Sequence, residues 1–280
     1  MNPAFVALAS AACWGTSDFL GGITARRISP YLAVAIAHAL TLVGLAGYLL
    51  AFGLQAPAHR LIFLGLLGGL FGGGGLMLFY GALATGGMGV TAAVAGVLTA
   101  AVPMLCGLRS EGLPRPLQLT GFGLAVAAIW LIASTPGKVV VRSLWMGTIS
   151  GICFGIYFVL LKLASAGGIV WAMCMSRVTS TSLALLICGV FALLGRRSAT
   201  NRWGWETLAL AAAVGALDSG GNMFFMLATH LGRLDVAAVL SSLYPAATIL
   251  LAAWILKERT TRMQTLGMVL AVGAVLLIST

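Results

Sequence analysis

Residues 118–132 read Q-L-T-G-F-G-L-A-V-A-A-I-W-L-I, and 146 positions later residues 264–278 read Q-T-L-G-M-V-L-A-V-G-A-V-L-L-I. Gly121 falls on Gly267, Ala125 on Ala271 and Ala128 on Ala274. Neither stretch carries a charge, and neither alternates polar with apolar residues as a barrel strand would. A continuous apolar run of this kind reads as a helix, which satisfies its backbone polar groups internally. The likeness continues outward. V-A-G-V-L-T-A-A-V-P, ending at Pro103, falls on V-A-A-V-L-S-S-L-Y-P, ending at Pro245. G-G-L-M-L-F at 74–79 recurs as G-G-N-M-F-F at 220–225, and A-C-W-G-T at 12–16 is echoed by I-C-F-G-I at 152–156. The chain therefore consists of two related halves.

Composition places those halves in a bilayer. Sixty per cent of the 280 residues are hydrophobic, mean hydropathy is +1.06, and only 8% are charged. An ordinary soluble protein is about 25% charged, so this chain lacks the polar surface a soluble globule needs. The net charge of +10 comes from cations scattered between apolar runs, without the basic, aromatic-interleaved stretch that nucleic acid would require. The five cysteines (Cys13, Cys106, Cys153, Cys174 and Cys188) lie inside apolar runs and read as small packing residues. With no CxxC or Cys/His cluster, no metal or other cofactor is expected.

Ten spans are predicted, at about 3–23, 31–53, 61–85, 89–107, 117–134, 144–165, 169–194, 205–229, 234–256 and 263–279. The first lacks a charged n-region and a cleavage site, so it reads as a span and not as a signal peptide. Pro57, Pro114, Pro116 and Pro136 punctuate connections, and Trp145, Trp171, Trp203, Trp205 and Trp254 stand near span ends, as an interfacial belt would place them. The expected fold is an all-α integral membrane protein, with repeats at 1–135 and 143–280 of five transmembrane helices each. Five is odd, so the two repeats must be inverted relative to each other. Inverted repeats are a transporter architecture with a central site near the midplane.

The Trp14-Gly15 pair of span 1, Pro103 and Pro245 in spans 4 and 9, and the S-S-L-Y-P and L-K-E-R runs at 241–245 and 256–259 resemble the drug/metabolite transporter superfamily, in particular its ten-span, EamA-like branch. The resemblance covers both halves. It implies ten helices around a central cavity and export or uptake of small metabolites such as amino acids, with export favoured. It also implies both termini in the cytoplasm and residence in the cytoplasmic membrane of a bacterium. The expected partners are the lipid bilayer, a small-molecule substrate and protons, and the chain is expected to work as a monomer. The first half departs from the pattern. Pro103 stands eight residues before Glu111, whereas Pro245 stands thirteen before Glu258, so span 4 is expected to end early or unwind.

Six acids are present, and two sit well inside spans: Asp18 and Asp218. A charge at bilayer depth costs about 3 kcal/mol or more, so such residues face the bundle interior or a wet cavity. Either could couple a proton to transport. The plainer alternative is an ion pair, for which Arg177 in span 7 is the available cation. On span 1, Trp14 and Asp18 stand four apart and share a face; on span 8, Asp218 and Asn222 do the same, with Phe225 a turn further on. On span 9, Ser241, Tyr244 and Thr248 form a polar stripe beside Pro245, which frees the carbonyl of Ser241. Tyr80 and Tyr157 add aromatic tips in spans 3 and 6. Together these residues predict an aromatic-walled substrate site suited to an ammonium group. Arg177 would receive a carboxylate, making a zwitterion such as an amino acid the natural guest. A quaternary or other organic cation, taken up, is the alternative. Pro103 and Pro245 are the expected hinges for alternating access.

Other features have plainer readings. His38 is a helix contact before it is a proton relay, and Lys162 snorkels to the interface. The glycines at 68–69 and 72–75 form overlapping GxxxG pairs for close helix packing, and no Lys-Ser or Lys-Thr follows them as in a phosphate loop. Orientation has two readings. Lys and Arg number ten after odd-numbered spans and five after even-numbered ones, which by the positive-inside rule puts both termini outside, against what the resemblance implies.

An intramembrane aspartyl hydrolase is the competing class. D-S-G at 218–220 matches superficially, but Asp18 sits in W-G-T-S-D without the glycine context such an enzyme needs, and GxSxG and HExxH are absent. The chain is therefore expected not to be an enzyme. A channel is the third class, separated from a carrier by saturable flux with counterflow.

Overall fold

The computed structural model describes residues 2–84, 88–110, 112–133, 141–195, 203–255 and 261–278. Glu111, the connection at 134–140 and the L-K-E-R run at 256–259 lie outside them. Among the described residues every regular element is a helix: α1 (Pro3–Arg27), α2 (Pro30–Ala51), α3 (His59–Ala84), α4 (Met88–Ser110), α5 (Pro116–Ala133), α6 (Val141–Ala164), α7 (Ile169–Leu193), α8 (Trp205–Leu231), α9 (Leu234–Ser241), α10 (Tyr244–Ile255) and α11 (Arg262–Ile278), with a 3-10 turn at Ser165–Gly167.

Local sequence explains the starts. Asn2 accepts from the Ala4 amide at 2.9 Å with Pro3 next in line, and Ser29 accepts from the Leu32 amide at 3.2 Å before Pro30. In both, a side-chain oxygen caps an orphan amide and proline occupies a position that needs none. Among the described residues six helical segments are long and apolar enough to cross a membrane: Pro30–Ala51, His59–Leu83, Leu144–Gly167, Ile169–Leu193, Trp205–Leu231 and Leu234–Ile255. Within α4, α5 and α11 the described apolar stretches are Val94–Ser110, Pro116–Ile132 and Arg262–Ile278. α1 is long enough but too polar, and its neighbours explain why. Ser10 Oγ donates to the Gly221 carbonyl at 2.8 Å and Ser17 Oγ to that of Val214 at 3.0 Å, so its hydroxyls are spent on α8 inside the bundle.

Span 4 does not end early. α4 continues through Pro103 to Ser110, while the chain breaks helix at Ser242–Leu243, between α9 and α10, directly before Pro245. The two prolines therefore differ: one lies inside a helix, the other in the first turn of a new one, where its missing N–H costs little.

Matched positions of the two halves meet equivalent partners. A Cβ at Gly121 would lie 3.2 Å from the Ala274 carbonyl, and one at Gly267 2.9 Å from the carbonyl of Ala128, so the two opening stretches pack on each other as α5 and α11. α1 packs on α8 and α6 on α3; a Cβ at Gly221 would stand 2.6 Å from the Trp14 indole, and one at Gly75 3.1 Å from the Phe154 ring. α1 also meets α10, where Gly15 lies on Ala247 and the Tyr244 carbonyl, as α6 meets α4 with Gly155 on Val102. Finally α3 crosses α7, with Gly69 and Gly73 against Ser176 and Ser180, and α8 crosses α2, with Gly215 against Ala37. Small residues are what allow membrane helices to approach this closely. Trp145, Trp203, Trp205 and Trp254 are exposed near helix ends.

Candidate functional site

Eight of the helices line a central cavity; among the described residues α5, α9 and α11 do not reach it. One wall is aromatic. Because Gly221 has no side chain, the Trp14 ring lies against the backbone of α8. Trp14 stacks on Phe158 at 4.8 Å and 14°, and Phe225 closes behind both, its ring 4.3 Å from Phe158 and 5.8 Å from Trp14. Aromatic pairs at these separations are mutually attractive beyond their buried area.

The cavity is also lined by a buried charge cluster drawn from three helices. Arg177 of α7 donates from NH2 to Asp218 Oδ2 of α8 and to Ser219 Oγ, the latter at 3.2 Å. Its NH1 lies 3.0 Å from Nε2 of His38 on α2. Arginine has no acceptor, so that Nε2 must accept, and the imidazole proton sits on Nδ1, donating to Ser180 Oγ at 2.8 Å. Arg177 and Asp218 thus satisfy each other, and His38 braces the cation from the other side.

Asp18 is placed differently. It lines the same cavity from α1, one turn from Trp14, and has no ion-pair or hydrogen-bond partner among the described residues. Asn222 on α8 donates from Nδ2 to the Asp218 carbonyl at 2.8 Å and to Asp218 Oδ2 at 3.2 Å. Tyr157, whose ring packs on Gly72, lies 3.5 Å from Ser176 Oγ through its hydroxyl.

Of the residues that the sequence singles out, Trp14, Asp18, Tyr157, Arg177, Asp218, Asn222 and Tyr244 come together on this cavity. Tyr80 and Ser241 do not. Tyr80 is fully buried against Gly21 of α1, and Ser241 Oγ donates to the Ala7 carbonyl at 3.1 Å, tying α9 to α1. Thr248 Oγ1 makes a similar tie to the Gly15 carbonyl at 2.9 Å. Pro103 and Pro245 lie outside the lining.

Thr99, Phe154, Phe158 and Ser176 also line the cavity, and sequence reasoning passed over them. Phe154 was within reach, since I-C-F-G-I places it where A-C-W-G-T has Trp14, and Phe158 follows it by four as Asp18 follows Trp14. A threonine or serine in an apolar helix carries no such signal. A third acid, Asp235 at the start of α9, is fully buried, pairs with Arg233 at 2.6 Å and lies outside the cavity lining.

A protein of known crystal structure, 17% identical in sequence, superposes with a TM-score of 0.78 over 99% of this chain and 97% of its own, a likeness of fold. Comparison with curated proteins gives no match. The sequence pattern of the EamA-like transporter family matches residues 141–280, half of the chain. The chain belongs to the EamA-like transporter family, within the drug/metabolite transporter superfamily, and is an integral multi-pass membrane transporter of small solutes.

Proposed function

We propose that this transporter is a carrier for small amine-bearing or zwitterionic solutes, amino acids foremost, with export favoured, and that the central cavity is its binding site. The observation that carries the reading is Asp18: a carboxylate without a partner among the described residues, on a cavity with an aromatic wall. An ammonium group answers both features, through charge on one side and cation–π attraction on the other. Arg177 Nε is buried without a hydrogen-bond partner, which leaves one donor for a carboxylate on the same guest.

The carrier works by alternating access, two inverted five-span halves rocking about the cavity. The reciprocal packing of α1 on α8 and α6 on α3, and of α5 on α11, supports this arrangement. The helix break before Pro245 makes that proline the better hinge, because a broken helix can bend where its ladder is already interrupted.

The test is counterflow of radiolabelled amino acids in proteoliposomes of the purified chain. Saturable counterflow, falling at least about tenfold in Asp18→Asn without loss of thermal stability, is the expected result. Flux that is unaffected by Asp18→Asn removes the carboxylate from the site. Flux without counterflow would make the protein a channel.

A further inference from the structure

The cavity holds hydrogen-bonding capacity that the protein does not use. Besides Arg177, whose Nε is a donor, three residues on its lining have a polar atom that is buried and, among the described residues, without a partner: Thr99 Oγ1, Asn222 Oδ1 and Tyr244 OH. All three residues are more than nine-tenths buried, at 1%, 1% and 5% exposure. Buried polar atoms in folded proteins are almost always satisfied, so three orphans on one cavity need an explanation.

The orientation of Asn222 is dictated by its neighbours. Its Nδ2 faces two acceptors, the Asp218 carbonyl and Asp218 Oδ2, neither of which could receive a hydrogen bond from an amide oxygen. The amide therefore cannot be turned over, and Oδ1 is left as an acceptor. Asp18 adds two carboxylate oxygens. The Asp18 carboxylate and Asn222 Oδ1 only accept, and the Thr99 and Tyr244 hydroxyls can accept as well. What such a set lacks is N–H donors in number, carried on a positive charge.

We infer that Asp18, Asn222 Oδ1 and the hydroxyls of Tyr244 and Thr99 form a subsite for a primary ammonium group, which it distinguishes from N-methylated and quaternary ammonium by counting N–H donors. Asp218 is then a positioning residue. Paired with Arg177, it takes no part in holding the ammonium, but its two acceptors hold the Asn222 oxygen toward the guest. The inference rests on the cavity being the solute site, and it narrows the solute class.

The experiment uses the full chain in detergent and four probes: 2-phenylethylamine and its N-methyl, N,N-dimethyl and N,N,N-trimethyl derivatives. Each methyl removes one donor, while the phenyl group meets the same aromatic wall throughout. Titration calorimetry should show affinity falling along the series, on the order of tenfold from the primary amine to the trimethyl compound. Asn222→Leu should close that gap by weakening the primary amine and sparing the trimethyl compound. Tyr244→Phe, which removes a single hydroxyl and keeps the ring, should narrow the gap if Asn222→Leu does not fold. Equal or rising affinity along the series overturns the subsite, as does a gap that survives Asn222→Leu in folded protein, or binding of none of the four. Counterflow of any solute by the same preparation keeps the carrier reading standing in those cases. Graded binding without flux removes the carrier and keeps the subsite.

Discussion

Two aspartates in an apolar chain look alike on paper, and their surroundings divide them. Asp218 is neutralised by Arg177, with His38 and Ser219 completing the cluster, while Asp18 stands on the cavity without a partner among the described residues. Removing one member of a buried ion pair strands the other charge. We expect Arg177→Met to lower unfolding stability by about 3–5 kcal/mol, and the double variant Arg177→Met/Asp218→Leu to recover most of it. Thermal unfolding in one detergent checks both; equal losses in the single and double variants would mean the pair contributes nothing. Asp18→Asn strands no charge, and its cost should stay within about 1 kcal/mol. Its candidacy was legible from sequence because a carboxylate at bilayer depth is expensive wherever it sits. Which of the two is free was not, because the answer depends on where α7 brings Arg177.

At the scale of elements, glycine decides which helices can touch. Gly221 admits the Trp14 ring, whereas Gly44, on α2, has open space where a side chain would stand. We predict that Gly221→Val costs about 1–3 kcal/mol by overpacking and disturbs the aromatic wall, so that transport falls with stability. Gly44→Ala should leave stability unchanged or raise it by up to about 1 kcal/mol, since alanine suits a helix interior better. Thermal shifts of similar size in both variants would refute the distinction. The GxxxG spacing at 68–75 announced close packing in advance, and Gly69 and Gly73 do lie against Ser176 and Ser180. The two matched prolines were less informative. Pro103 leaves α4 continuous and Pro245 follows a break, because a proline's missing hydrogen bond can be absorbed by a bend or by a new helix start.

Over the whole molecule, the quasi-symmetry of the packing is kept and the quasi-symmetry of the chemistry is broken. Trp14 and Phe154 occupy equivalent contacts, but four residues on from them stand Asp18 and Phe158. Gly75 and Gly221 are likewise equivalent, and three residues before them stand Gly72 and Asp218. One half therefore supplies a polar group where the other supplies a ring or bare backbone, and all four of these residues line the cavity. The proposed arrangement, ten spans in two inverted halves, requires both termini on one side of the membrane. Reporter fusions at the N- and C-termini should give the same-side signal; opposite signals would overturn the inverted arrangement, and the side itself would decide between the positive-inside count and the family expectation.

What the sequence determined by itself is the class of the molecule: apolar runs without charge must be membrane helices, and a repeated pattern must build related halves that pack in related ways. Those conclusions need only the cost of exposing apolar surface and backbone to the wrong solvent, which is local to each run. The tertiary structure alone decided which acid pairs with Arg177, and which tyrosine lines the cavity and which packs against Gly21. Each of these depends on a partner distant in the chain, and pairing across helices is written in their packing and not in the spacing along any one of them.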